Sequence, residues 1–256
     1  MTAPSDAASE RFVFGVNPVR EALRGRSPRV ERVFIQEGLP PRGVLGDIAK
    51  LAGAAGVRVE RIAKERLVRL ADGGAHQGVV AEVQPFRYAE LENILDQAKA
   101  QPPGLVVVCD GLQDPHNLGA VIRSAHAMGA HGVVIPKDRS VGLTGAVAKA
   151  SAGALMHTPV AQVVNLSRTL ETLKSEGFWV AAADAGGESH LWDARLDGPM
   201  ALVIGAEGDG IRPGVLAHCD LKLTVPMAGK VGSLNASASA AILLYEVLRQ
   251  RAHRKS

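Results

Sequence analysis

Apolar residues along the chain fall into short strand-like runs that alternate with stretches of helical spacing. From residue 105 onward the runs are longer, beginning with the continuous apolar stretch LVVVCD. Continuous apolar runs are typical of strands buried on both faces of a parallel sheet. Strands that alternate with helices through short glycine-containing connections indicate a doubly wound or related fold. The pattern therefore predicts an α/β fold with a mostly parallel sheet in residues 105–256.

The first third of the chain alternates over shorter segments. NPVREALRG predicts a helix that opens on an asparagine cap, while VERVFIQEG, VRVERI and QGVVAEVQ predict strands. Residues 11–84 are therefore predicted to form a compact α/β unit. Residues 85–104, a polar helix between prolines, are predicted to be a linker. Residues 1–10 are small and polar without an apolar core, which predicts a disordered tail rather than a signal peptide.

Composition narrows the class of protein. Hydrophobic residues make up 46% and charged residues 21% of the chain, as in ordinary globular proteins. Only Cys109 and Cys219 are present, which argues against a disulfide scaffold or a cysteine-rich zinc site and suits a reducing cytosol. No apolar run is long enough to span a bilayer. We expect a cytoplasmic protein with no membrane partner and no metal.

The net charge of +3 is unevenly distributed. Residues 1–83 carry 13 Lys and Arg against 10 Asp and Glu, whereas residues 84–256 carry 16 of each. A solvated surface explains such a small surplus. An RNA-docking module placed ahead of a neutral catalytic domain is also compatible with it.

Three predicted strands end in unusual loops, and ligands collect at the carboxyl ends of parallel strands. In DPHNLGAVIR, Asn117 is suitably placed to cap a helix that carries Arg123. In LVIGAEGDG, glycines surround Glu207 and allow backbone groups to approach a nucleotide. In VPMAGKVGSLNASAS, Ser233 and Asn235 precede a long apolar helix, as helix caps or as part of a ligand-binding loop.

The sequence lacks the motifs of several other enzyme classes. The loop after LVVVCD has no G-x-G-x-x-G, GLTGAVAKAS lacks the P-loop spacing, and no G-x-S-x-G elbow is present. The eight histidines form no pair at metal-ligand spacing beside a carboxylate. A covalent or metal-dependent mechanism is therefore not indicated.

Taken together and in order, the three loops resemble the three motifs of the SpoU, or TrmH-type, RNA ribose 2′-O-methyltransferases of the SPOUT class. The resemblance covers residues 105–250, and FGVNPVREALRG with HQGVVAEV is similar to the L30e-like substrate-binding domain of these enzymes. It is closest to the bacterial subgroup that methylates a guanosine of large-subunit (23S) rRNA. Lys230 and Ala236 depart from the residues expected there, Ser and Val.

This resemblance implies a fold and partners. Residues 105–256 would form an α/β knot, a deep trefoil knot in which the chain's end passes through an earlier loop. Residues 11–84 would form a small L30e-like α/β domain that binds the RNA substrate. S-adenosylmethionine would be the cofactor, and the enzyme would be a homodimer with an active site completed across the interface.

The resemblance also implies residue roles. The cofactor would be held by Gly205, Ala206, Val225, Met227 and Leu234. The catalytic set would be Asn117, Arg123, Glu207, Ser233 and Asn235. The resemblance makes Arg123 the central catalytic residue, and a guanidinium is better suited to clamp the target phosphate than to act as a general base.

Several alternatives stay open from the sequence. Asn117 fixes its motif, bonds the ribose or only caps a helix, and Glu207 bonds neighbouring loops or balances the sulfonium charge. His76 is a turn residue or part of a site. The protein as a whole could instead be a non-catalytic rRNA-binding or assembly factor, a related methyltransferase acting on tRNA, or, with less support, a nucleotide-dependent oxidoreductase.

Overall fold

A computed structural model describes residues 11–25, 28–40, 42–230 and 232–253. Within these ranges the chain divides into two compact units. The first unit comprises residues 11–87 together with 142–157, and the second comprises residues 88–141 together with 158–253. The predicted tail, residues 1–10, lies outside the described residues.

The first unit is built on a four-stranded sheet. Its strands are β1 (Phe12–Phe14), β2 (Val30–Gln36), β3 (Arg58–Ile62) and β4 (Val79–Val83), in the order β1-β4-β2-β3. Strand β4 pairs antiparallel with β1 and β2, whereas β2 and β3 are parallel. Its helices within residues 11–87 are α1 (Val16–Arg24), α2 (Val44–Ala54) and α3 (Lys64–Leu70). Helix α1 begins after Gly15, so the predicted asparagine cap is wrong.

Residues 142–157 pack with the first unit, although their sequence places them between strands of the second. They form helix α6 (Gly145–Ala150) and a turn of 3₁₀ helix (Ala154–Met156). A Cβ at Gly145 would clash with the backbone carbonyl of Phe12, so only glycine allows α6 to lie this close to β1. Helix α6 does not continue into the 3₁₀ turn because Ala152 and Gly153 adopt φ values of 52° and 93°.

The second unit contains a seven-stranded sheet in which every neighbouring pair is parallel. The strand order is β7-β6-β5-β10-β8-β11-β9. The strands are β5 (Leu105–Asp110), β6 (Gly132–Pro136), β7 (Val160–Val163), β8 (Trp179–Ala183), β9 (Ser189–His190), β10 (Met200–Gly205) and β11 (Leu221–Thr224). Every residue of β5, β6 and β10 is buried, as their continuous apolar sequences predict.

Five helices accompany this sheet: α4 (Leu91–Ala100), α5 (Pro115–Ala127), α7 (Leu166–Ser175), α8 (Pro213–Leu216) and α9 (Ala236–His253). Helix α4 lies in the segment predicted as a linker. Its residues Ile94, Leu95 and Ala98 are buried in the same cluster as Val106 and Val180 of the sheet. This segment is therefore part of the core of the second unit.

The last helix, α9, packs on α5 and β10 and runs along the sheet from one edge to the other. It begins beside the carboxyl ends of the strands, where Asn235 precedes it. Near its end, Arg251 donates to the carbonyl oxygens of Gly104 and Gly198, which precede β5 and β10. Among the described residues, neither this helix nor any other is long and apolar enough to cross a membrane. The predicted α/β class with a mostly parallel sheet is confirmed; the knotted threading stays a prediction.

Candidate active site

A cavity of about 720 Å³ opens at the carboxyl ends of β8, β10 and β11. Its volume lies in the range of roughly 300–1,000 Å³ that is usual for small-molecule and cofactor sites. Three loops line it: residues 183–185, residues 204–211 and, among described residues, the segment from 223 to 239. It therefore occupies the edge at which parallel sheets bind ligands.

The loop after β10 is held closed by its own backbone. Ala206 and Gly210 exchange two N–H to carbonyl hydrogen bonds of 3.1 and 3.0 Å. Gly208 and Gly210 have φ values of 84° and 66°, which favour glycine. A Cβ on Gly205 would lie 2.5 Å from the carbonyl oxygen of Gly210 and from the amide nitrogen of Ile211. Gly205 is thus required by the closure of its own loop, a reason that the sequence did not reveal.

An ion pair between exposed Arg212 and buried Asp110 fixes the end of this loop. The Asp110 carboxylate, at the end of β5, accepts from the Arg212 Nε at 2.7 Å and from its backbone N–H at 2.9 Å. A terminal guanidinium nitrogen of Arg212 lies 2.6 Å from the same carboxylate, whose side chain is fully buried. Three charge-assisted contacts therefore hold the β10 loop against the neighbouring strand.

Asn235 joins the three predicted motifs. Its Oδ1 accepts from the backbone N–H of Ser237 at 2.9 Å and of Ala238 at 3.2 Å, and so caps α9. Its Nδ2 donates to Asn117 Oδ1 at 2.9 Å and to Glu207 Oε1. The amide oxygen of Asn235 therefore caps the helix that follows the loop, and its amide nitrogen donates hydrogen bonds to one residue of each of the other two motifs.

Asn117 does not cap its helix, contrary to one of its predicted roles. Asp114 takes that place and accepts from the backbone N–H of His116 at 2.9 Å, and Pro115 occupies the first position of α5. Proline is favoured there because its missing N–H would have had no helical partner. Asn117 instead lies inside the first turn, largely buried, and its side chain is available to Asn235.

The residues predicted to hold a cofactor all lie on the cavity: Gly205, Ala206, Val225, Met227 and Leu234. Met227 and Leu234 leave 37% and 38% of their surface exposed, so they present apolar side chains toward the opening. Ser233 and Glu207 line it as well.

Arg123 differs from the other predicted site residues. It lies on α5, one and a half turns beyond Asn117, and is exposed. It does not line the cavity, and its guanidinium makes no hydrogen bond or ion pair among the described residues. Its five donors are therefore open to an external acceptor.

Carboxylates dominate the charge of the cavity. Asp184, Glu207 and Asp209 line it, whereas Lys230 is the single Lys or Arg among the described lining residues. Opposite charge attracts a ligand into a partly enclosed cleft. The cavity is thus better suited to a cationic ligand than to a polyphosphate.

The cysteines and the metal-ligating side chains of the described ranges bear on nucleophilic and metal chemistry. Burial raises the pKa of Cys109 to about 12 and that of Cys219 to about 11, so neither thiol supplies a nucleophilic thiolate. No group of three or more His, Cys, Asp or Glu side chains in the described ranges could hold a metal. His76 accepts from the backbone N–H of Gly78 through Nδ1 at 3.1 Å, and burial lowers its pKa. It is a turn residue of the first unit.

Some lining residues were missed by the sequence analysis. Asp184 and Thr224 follow β8 and end β11, and His190 ends the short strand β9. The rule that ligands bind at the carboxyl ends of parallel strands points to Asp184, because it follows β8 directly. The pair of Asp110 and Arg212 carried no sequence signal, since its members lie 102 residues apart.

On the first unit, charged residues form a ladder across one end of the sheet. Arg11 and Arg32 flank Glu82 at 2.9 and 3.7 Å, and Arg32 and Arg58 flank Glu60 at 3.3 and 3.4 Å. Exposed pairs of this kind add only about 0–1 kcal/mol to stability each. The three arginine side chains are paired with carboxylates and remain accessible to solvent.

Comparison with known proteins agrees with this architecture. Residues 104–245 match the model of the SpoU rRNA Methylase family, and residues 12–89 match that of RNA 2′-O ribose methyltransferase substrate binding. The putative TrmH family tRNA/rRNA methyltransferase of Bacillus subtilis is 43% identical over 94% of this chain and 96% of that protein. An uncharacterised tRNA/rRNA methyltransferase of Synechocystis is 45% identical over 96% of this chain, which spans 65% of that protein.

Among solved structures, the SpoU methyltransferase AviRb from Streptomyces viridochromogenes, in complex with the cofactor AdoMet, superposes with a TM-score of 0.78. It is 27% identical, and the match covers 96% of this chain and 92% of that one. A parallel α/β unit with a cofactor-sized cavity at its carboxyl edge, joined to an RNA-binding module, defines a class of RNA-modifying enzyme. The chain belongs to the SpoU, or TrmH, family of RNA 2′-O-ribose methyltransferases, as its motifs predicted.

Proposed function

We propose that this protein transfers a methyl group from S-adenosylmethionine to the 2′-hydroxyl of a guanosine in large-subunit (23S) rRNA, in the cytoplasm. The observation that carries the reaction type is the convergence of Asn117, Glu207 and Asn235 beside a carboxylate-lined cavity. The choice of guanosine in rRNA rests on the resemblance of both units to the bacterial rRNA subgroup.

The cavity fits S-adenosylmethionine. Its carboxylates, Asp184, Glu207 and Asp209, complement a ligand with a sulfonium and an ammonium group. The exposed side chains of Met227 and Leu234 suit an apolar ring face. When bound, the cofactor supplies a methyl group already activated for displacement, so the protein's task is to align a hydroxyl.

Arg123 is the residue we assign to the RNA. A guanidinium has donors and no acceptor, so we do not assign Arg123 the role of general base. The fork of donors instead binds a phosphate oxygen pair next to the target ribose and orients the hydroxyl. Asn117 and Ser233 position the loop and the ribose, and Glu207 acts through Asn235.

Arg123→Lys tests this assignment, because lysine keeps the charge but loses the fork. We expect single-turnover methylation to fall by about 100-fold, the usual cost of one transition-state donor, with S-adenosylmethionine affinity unchanged. Arg168→Lys, at an exposed position of α7, is the matched control and should retain the wild-type rate. A wild-type rate in Arg123→Lys would remove the argument from fork geometry.

We also propose that the enzyme is a homodimer whose active site is completed by the second copy. Ile242, Tyr245 and Leu248 of α9 are 37%, 57% and 40% exposed and lie three residues apart on one side of the helix. A row of exposed apolar side chains is typical of an interface. Tyr245→Glu should give monomers in light scattering and lose methylation, whereas a dimeric, active variant would exclude this surface.

The target is tested by mapping 2′-O-methyl groups on RNA from cells that lack the protein and from complemented cells. Loss and recovery of one guanosine methyl in large-subunit rRNA is the expected result. Because the relatives are named as tRNA/rRNA methyltransferases, transfer RNA is mapped in the same samples, and a site that changes there assigns a tRNA substrate instead. Calorimetry with S-adenosylmethionine separates both outcomes from a non-catalytic assembly factor, which would bind none.

A further inference from the structure

Two exposed aromatic side chains, those of His190 and Trp192, lie together, and His190 lines the cavity. The rings of His190 and Trp192 have centroids 5.4 Å apart and planes inclined at 50°. This spacing is that of an interacting aromatic pair. Trp192 nevertheless leaves 63% of its surface in solvent. A tryptophan so exposed and yet ordered against a neighbouring ring indicates a contact surface.

The pair is fixed to the same edge of the sheet as the cavity. His190 is the last residue of β9, lies in register with Thr224 of β11 and lines the cavity. Leu191, the next residue, is only 6% exposed and starts a turn of 3₁₀ helix. Because Leu191 is buried, the turn cannot rotate freely, and Trp192 points outward from a fixed position.

The carboxylates around the two rings determine whether a phosphate or a neutral base can lie against them. Glu188 and Asp193 flank the two rings in sequence and are exposed, and Asp184 lies on the cavity. A phosphate would be repelled there. The face of a neutral base would not be, and aromatic side chains bind unpaired bases by stacking.

We infer that His190 and Trp192 form a stacking platform for an unpaired base of the RNA substrate, next to the ribose that is methylated. This inference rests on the proposed function and assigns part of its substrate specificity. The platform would fix the position of one nucleotide relative to the cavity. Only an RNA with an unpaired base at this position would then bring its ribose to the cofactor. Trp192 is then a binding residue, and His190 positions its ring.

The chain offers a matched control. Trp179 is the only other tryptophan and is 57% exposed, but it begins β8 and so lies at the opposite, amino edge of the same sheet. Trp192→Phe and Trp179→Phe each leave one tryptophan as a fluorescent reporter. Total RNA from a strain lacking the protein should quench Trp192 in Trp179→Phe and leave Trp179 in Trp192→Phe unchanged.

The affinity test uses Trp192→Ala, Trp192→Phe and Trp179→Ala with the same RNA and tritiated S-adenosylmethionine. Trp192→Ala should raise the KM for RNA by about 10-fold, the order expected for losing one stacked base, with the calorimetric Kd for S-adenosylmethionine unchanged. Trp192→Phe should restore most of the loss, and Trp179→Ala should match the wild type.

Three results would overturn the inference. Equal KM values for Trp192→Ala and Trp179→Ala would remove the platform. Quenching of Trp192 by S-adenosylmethionine alone would make the ring a cofactor contact, and a change from dimer to monomer in Trp192→Ala would make it a contact with a second copy. Failure of the proposed function looks different: the wild type would then transfer no methyl group to RNA, while RNA quenching would still report on the platform.

Discussion

Arg251 and Gln250 at the amino edge of the seven-stranded sheet and Asn235 at its carboxyl edge use their polar groups differently. At the amino edge, side chains end on main-chain groups: Arg251 donates to the carbonyls of Gly104 and Gly198 at 2.8 and 2.7 Å, and Gln250 accepts from the N–H of Leu196 at 2.7 Å. At the carboxyl edge, the amide of Asn235 reaches two other side chains as well as its own helix.

This difference separates polar residues that stabilise the fold from polar residues that position a ligand. A side chain whose hydrogen bonds go to buried backbone groups stabilises the unit itself. Side chains that bond one another around an open cavity stabilise less and fix positions relative to a ligand instead. Substitutions at the two edges should therefore affect different measurements, and the following experiments test that separation.

The largest effect at the cavity is expected for Gly205→Ala. The new Cβ would lie 2.5 Å from backbone atoms of Gly210 and Ile211, which cannot give way without moving the loop. A strained or shifted loop should cost about 2–3 kcal/mol, or about 30- to 150-fold in S-adenosylmethionine affinity. Gly198→Ala at the amino edge has no atom within 4 Å of its Cβ and should change nothing. If calorimetry gave equal losses of S-adenosylmethionine affinity for the two variants, the proposed difference between the edges would be wrong.

Asn235 allows its two roles to be separated. Asn235→Asp keeps an oxygen that caps α9 but replaces the donor facing Glu207 with a second carboxylate. Methylation should fall by about 10- to 30-fold, the value of one or two hydrogen bonds to a charged group, with little change in melting temperature. Asn235→Ala should also lose about 1 kcal/mol of unfolding free energy, because the cap is gone. Unchanged methylation in Asn235→Asp would mean that Glu207 needs no partner there.

At the amino edge, Arg251→Met should lower stability and leave cofactor affinity nearly unchanged. The variant loses charge-assisted hydrogen bonds to two carbonyls, so urea unfolding should give about 2 kcal/mol less stability. S-adenosylmethionine affinity of the folded protein should change by less than about twofold, since the cavity lies at the far end of α9. A loss of affinity as large as that of Gly205→Ala would show that the edges are not independent.

The smallest effect is expected for thiol modification. Burial raises the pKa of Cys109 to about 12 and of Cys219 to about 11, and thiolates rather than thiols react with alkylating reagents. Treatment of the native protein with iodoacetamide at pH 8 should leave methylation unchanged, and mass spectrometry should find little label before urea is added. Rapid inactivation would place a reactive cysteine near the cavity.

Much of the second unit could be predicted because its signals are local. The strands β5, β6 and β10 are continuous apolar runs, and the loops after two of them carry glycines and amides at the carboxyl edge. A parallel sheet brings such loops together whatever their separation in sequence. This rule pointed to the three loops, and the resemblance to the SpoU motifs grouped Asn117, Glu207 and Asn235 before their hydrogen bonds were known.

What escaped prediction depends on long-range packing. Strand β9 has only two exposed polar residues and no apolar pattern to mark it. The small residues of 145–157 are compatible with packing on either sheet, and the clash that requires Gly145 beside Phe12 appears only in three dimensions. Capping was one of the roles left open for Asn117 because asparagine is a good cap, but Asp114 and Pro115 start the helix earlier.

Helix α9 has a consequence for shortened forms of the protein. It supplies one wall of the cavity through Ala236 and Ser239, and its far end is secured by Arg251 at the start of β5 and β10. Because α9 follows all the strands of the sheet in sequence, a fragment that stopped before residue 236 would keep those strands and lack this wall of the cavity.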